Sequence, residues 1–140
     1  MSTRLNPYVM FRGTAREAMT RYQEVFGGDL DLNTFADFGG MGVSDDEQQQ
    51  VMHSQLTSND TVVLMGSDAP SHMVGDFQNG TISLSGDDET TLRGWWDGLA
   101  EGGTVDMPLE KAPWGDHFGQ LTDRFGISWM FNIAGTPPAE

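Results

Sequence analysis

Two stretches of this chain repeat the same landmarks in the same order, and that repeat constrains the fold more than any other feature. Tyr22 and Trp96 are 74 residues apart, and so are Gly28 and Gly102. In the first stretch Ala15, Ala18, Met19, Tyr22, Val25 and Phe26 recur at helical spacing and form one apolar stripe. In the second, Leu92, Trp95, Trp96, Leu99 and Ala100 do the same. Thr14 and Glu17 have the spacing of a capping box for the first helix, and Asp87 or Asp88 can cap the second. Double glycines, Gly27-Gly28 and Gly102-Gly103, follow both.

Short apolar strands precede each helix, Tyr8 to Phe11 and Thr81 to Leu84, and another strand follows each double glycine. Each half then closes on a hairpin carrying the same tripeptide, Gln55-Leu56-Thr57 and Gln120-Leu121-Thr122. The order is β-α-β-β-β, twice. The expected class is therefore α+β, with two tandem βαβββ modules forming a curved mixed sheet around a concave cleft. The boundaries are 1–70 for the first module, 71–79 for a Pro- and Gly-bearing linker, and 80–140 for the second. The Gly-rich and acidic loop from Asp37 to Gln50 could lie over a pocket.

Composition narrows the function classes. Twenty-one acids against seven bases give a formal charge of −14, a field that repels nucleic acid and anionic membrane. With no cysteine there is no disulfide, thiolate metal site or cysteine nucleophile. No apolar run reaches the roughly 20 residues of a membrane span, and the N-terminus lacks a signal-peptide core, so a cytoplasmic location is expected.

The residues with chemistry cluster in two hairpins. In Val51-Met52-His53-Ser54-Gln55-Leu56, strict alternation puts Val51, His53 and Gln55 on one face. In the last hairpin, Trp114, Asp116, His117, Phe118, Trp129 and Phe131 occur together, with a turn at Asp123-Arg124-Phe125-Gly126. Trp129 and Phe131 share one strand face and Met130 takes the other. Trp95 and Trp96 lie on the helical stripe and pack the second helix onto its sheet. No nucleophile-elbow motif accompanies the serines.

Taken together, LNPYVMFRGTAREAMTRYQEVFGGDL, VMHSQL, LMGSDAP and PLEKAPWGDHFGQLTDRFGISWMFNI resemble the PhnB-like branch of the vicinal oxygen chelate, or glyoxalase/bleomycin resistance, superfamily, over residues 5 to 133. Members of this branch are often called 3-demethylubiquinone methyltransferase-like. The resemblance implies paired βαβββ modules and a homodimer. The Gly39-Gly40-Met41-Gly42 run, with no helical pattern after it, does not supply the glycine turn of a nucleotide-type cofactor.

Catalytic relatives hold a divalent ion with His, Glu or Gln from the first and last strands of each module. Here those positions fall near Pro7 (flanked by Asn6 and Tyr8), on Leu64 or Met65, on Thr81 or Ser83, and on Met130. None offers an imidazole or carboxylate, so no metal and no other cofactor is expected. The leading expectation is a homodimeric protein binding a small planar or aromatic molecule, with Tyr8, His53, Gln55, Trp114, Asp116 and Trp129 lining the pocket. Two alternatives stand beside it. One is a metal-dependent lyase or dioxygenase with a relocated site on His53, His117 and Asp116. The other is a non-catalytic dimer scaffold.

Overall fold

The computed structural model describes residues 5–40, 42–58, 62–70 and 79–135. The first module runs β1 (Tyr8–Phe11), α1 (Ala15–Phe26), β2 (Asp29–Thr34), β3 (Val51–Ser58) and β4 (Val62–Asp68). The second runs β5 (Thr81–Gly86), α2 (Glu89–Ala100), β6 (Thr104–Lys111), β7 (His117–Thr122) and β8 (Ser128–Ile133). Each module has its own four-stranded mixed sheet, ordered β1-β4-β3-β2 in one and β5-β8-β7-β6 in the other. Chain contacts divide the molecule into two compact units, Met1–Asn79 and Gly80–Glu140. The expected linker at 71–79 lies outside the described residues except for Asn79. The Asn79 amide accepts from the Met10 N–H at 2.8 Å and donates to the Met10 carbonyl at 3.1 Å, pairing β1's outer edge as a neighbouring strand would.

In the first unit, Ala15, Ala18, Met19, Tyr22 and Phe26 turn the buried stripe of α1 toward its sheet. Val9, Phe11, Leu56 and Leu64 meet them from the strands, each no more than 3% exposed. Burying such side chains contributes roughly 1.5–3 kcal/mol apiece before conformational entropy is counted. The start of α1 falls where the sequence pattern puts it, but its cap does not. Thr14 makes no side-chain cap. Instead, the carboxylate of Asp68, at the end of β4, accepts from the Gly13, Ala15 and Val51 amides. A buried carboxylate is a stronger acceptor than a threonine hydroxyl, and it sits at the positive end of the helix.

The second unit is built alike. Leu92, Trp96 and Leu99 are the buried residues of α2, and Asp88 caps it by accepting from the Thr91 amide at 3.2 Å. The edge of the Trp96 ring meets Phe131, with centroids 5.3 Å apart, and the adjacent Trp95 is only half-buried. Both modules run an edge strand close to a hairpin turn, which demands glycine at one point. A Cβ on Gly28 would collide with the Thr57 carbonyl, and one on Gly103 with the Thr122 carbonyl. At the β7–β8 turn, Asp123 Oδ1 accepts from the Phe125 and Ile127 amides, and Gly126 takes a positive φ. No described helix is long and apolar enough to cross a membrane.

Candidate functional site

With one face of each sheet packed on its helix, chemistry is left to the opposite face, here called distal. In the first unit, strand register lays the distal residues out in rows. Tyr8 pairs with Met65, Met65 with Gln55, and Gln55 with Asp31, one side chain from each strand. Met10 pairs with Ser67 and Asn33 with His53 in the next row. A register shift between Asn33 and Thr34 sets His53 opposite one and Val51 opposite the other, leaving Met52 as the extra residue of a bulge. Strict alternation therefore fails here. Val51 is fully buried, whereas His53 and Gln55 share the distal face.

Tyr8 and His53 meet across β4. The Tyr8 hydroxyl and His53 Nδ1 are 3.3 Å apart in a hydrogen bond, and the rings stack at 26° with centroids 5.7 Å apart. Tyr8 is 44% exposed, so the pair forms a flat and accessible aromatic ledge. Gln55 donates to Thr57 Oγ1 at 3.2 Å, and Ser67 donates to the sulfur of Met10 at 3.4 Å. Asn6, two residues before Tyr8, keeps a buried Oδ1 with no hydrogen-bond partner among the described residues.

The second unit places its candidates less uniformly. Trp114 stands 63% exposed, with the edge of its ring on Phe118. Asp116 uses both carboxylate oxygens to tie its own hairpin, accepting from Asn132 Nδ2 at 2.9 Å and from the Gly135 amide at 2.8 Å. Those two bonds, the Asn132 one first, hold its carboxyl below the ordinary aspartate value of 3.8. Slight burial opposes them, and nearby His117 adds to the lowering. Trp129 does not line a distal face. It is 1% exposed, shares the helix-covered side with Phe131, and donates its indole N–H to Asp123 Oδ2 at 2.9 Å. The β5–β8 register pairs Ser83 with Met130 on the distal side, so Met130 and not Trp129 belongs to that surface.

Register also tests whether a divalent metal could sit where the resemblance places one. Leu64 is buried under α1, which leaves Met65 beside Tyr8 in the first unit. Ser83 lies beside Met130 in the second. Thioethers and neutral hydroxyls do not make a site for a borderline or hard divalent cation, so these residues do not fit the group. Among the described residues no three His, Asp or Glu side chains gather as a metal site. Gly39 and Gly40 follow a short 3-10 turn, Ala36–Phe38, and among the described residues only another such turn, Asp45–Glu47, comes before β3.

One hollow lies elsewhere, at the start of α1. A cavity of about 200 Å³ is lined by Gly13, Arg16, Glu17, Asp46, Gln49, Gln50, Val51 and Asp68. The 37–50 loop thus supplies part of its wall, tied down where Arg16 donates to the Gln49 carbonyl at 3.1 Å.

Comparison with known proteins agrees with this architecture. Residues 4–131 match the model of the Glyoxalase/Bleomycin resistance protein/Dioxygenase superfamily. Protein YjdN of Escherichia coli K12 is 27% identical over 147 aligned positions, covering 97% of this chain and 99% of the relative. The crystal structure of PA1353 from Pseudomonas aeruginosa superposes with a TM-score of 0.80 at 34% identity, over 96% of this chain and all of that one. The PhnB protein of Bacillus cereus gives 0.72 at 26% identity, over 94% of this chain and all of that one. The chain belongs to the glyoxalase/bleomycin resistance/dioxygenase superfamily.

Proposed function

We propose that this protein binds a small planar molecule on the distal face of its first sheet, without a metal held at the superfamily's usual positions. The observation that carries this reading is the Tyr8–His53 pair, two rings stacked and hydrogen-bonded on a face that its helix does not cover. A preformed aromatic ledge offers contact area at low entropic cost, because its two side chains already restrain each other. Gln55 and Met65, in the row beside it, supply a polar anchor and an adaptable apolar wall. In the second unit, Trp114 is the exposed aromatic of the same reading, and Asp116 acts as a hairpin clasp. The protein works in the cytoplasm as a homodimer.

The test is a thermal-shift screen of the untagged protein against planar aromatic metabolites, run beside elemental analysis and a Mn²⁺, Fe²⁺, Ni²⁺ and Zn²⁺ series. The expected result is stabilisation by an aromatic compound that disappears in His53→Ala, with no stoichiometric metal. One metal per chain, lost in His53→Ala, would replace this reading with the relocated metal site. No shift with any compound would leave the dimer scaffold.

A further inference from the structure

The distal face of the first sheet carries carboxylates and no strand cation. Two of its side-chain donors are used within the face: one Gln55 amide N–H goes to Thr57 and the Ser67 hydroxyl to Met10. The charged groups that remain free on it are acceptors, the Asp29 and Asp31 carboxylates on one side of β2, with the Gln55 carbonyl oxygen beside Asp31. No lysine or arginine occupies any position of β1, β2, β3 or β4. Arg12, just beyond β1, donates to the Pro70 carbonyl, while Arg16 and Arg21 ride on α1.

The second sheet also spends several side-chain donors on its own contacts. Gln120 donates to Ser128, Thr122 to Asp106, and Asn132 to Asp116. Its single strand cation, Lys111, pairs with His117 at the end of β6, across from the helix-covered Ile133.

We propose that the distal face of the first sheet selects a planar, positively charged hydrogen-bond donor and rejects carboxylates and phosphates. This deepens the reading above and rests on it. The ring of such a ligand stacks on Tyr8 and His53, where a cation over the tyrosine face gains further attraction. Its N–H groups meet Gln55 and Asp31, farther along one row of four strands that spans about 14 Å at ordinary strand spacing. An anionic ligand finds no cation on any strand of this sheet, and it must enter the field of a chain carrying −14.

The experiment uses the full chain and three probes sharing one ring system: 9-aminoacridine (cationic), acridine (neutral) and acridine-9-carboxylate (anionic), at neutral pH. Affinity is read by fluorescence titration and location by amide shifts. The cation is expected to bind about tenfold tighter than the neutral ring, with shifts at Tyr8, His53 and Gln55, and the carboxylate not to bind. Asp31→Asn, on an exposed edge strand, should narrow the gap between cation and neutral several-fold while the fold stays intact. Carboxylate binding as tight as that of the amine, with shifts at Tyr8 and His53, would overturn the charge preference and leave the binding face standing. Shifts confined to other acidic surfaces, or no binding by any probe, would overturn both.

Discussion

The carboxylate of Asp68 accepts the Ala15 amide at 3.0 Å, so the last residue of β4 caps a helix that begins 53 residues earlier. The same carboxylate holds the Gly13 and Val51 amides, joining the ends of β1, α1, β3 and β4 at one point. Asp123 does comparable work in the second unit, serving the Phe125 and Ile127 amides and the Trp129 indole.

Removing Asp68 should therefore cost more than its size implies. Asp68→Ala leaves three amide donors without their acceptor, and a loss of about 3 kcal/mol is expected in urea unfolding. Thr14→Ala, at the position the sequence marks as the cap, should cost less than about 0.5 kcal/mol. The reverse order would show that Thr14 carries the cap in solution.

Trp129→Phe separates a core role from a binding role. It removes the indole donor to Asp123 and part of a buried ring, so about 2 kcal/mol of unfolding free energy should be lost. Any ligand affinity of the first unit should be unchanged. Impaired binding with normal stability would return Trp129 to the binding surface.

Two kinds of glycine distinguish close approach from backbone freedom. Gly27 has open space where a Cβ would project and a φ of 75°, so Gly27→Ala should cost about 1 kcal/mol for the left-handed backbone alone. Gly28→Ala adds a collision with the Thr57 carbonyl to that backbone cost, whereas Gly103→Ala meets the Thr122 carbonyl without a positive φ, and each should exceed the Gly27→Ala cost by at least about 1 kcal/mol. Equal thermal stability of all three variants would contradict the close packing of these edge strands.

Asp116 gives a pH prediction with a defined sign. Its folded carboxyl lies below 3.8, chiefly through Asn132 and next through the Gly135 amide. The stability it contributes is thus complete above the unfolded value and disappears as pH falls through the lower folded one. A carboxyl NMR titration should find its midpoint below 3.8, and Asn132→Ala should move that midpoint upward. A midpoint insensitive to Asn132→Ala would mean the clasp does not persist in solution.

Local pattern was enough to establish much of this architecture. The apolar stripes of Ala15 to Phe26 and Leu92 to Ala100, and the repeated Gln-Leu-Thr hairpins, specify which segments are helices and which are strands. Their order specifies the duplicated α+β modules, because each stripe must be buried against something at matching spacing. The Asp123 to Gly126 turn and the Asp88 cap were legible for the same reason, since their partners lie within a few residues. Tertiary structure alone decided the rest. The bulge at Met52 moved Val51 into the core and left His53 beside Tyr8, a displacement set by pairing with β2 that no alternation in β3 records. It put Trp129 under α2 and Met130 on the distal side, because which face of a strand is buried depends on where its helix packs. It gave the cap of α1 to Asp68, a residue distant in sequence. Contacts closed over 45 to 53 residues have no local period to betray them, and it is those contacts that made the Tyr8–His53 ledge and the Asp68 junction.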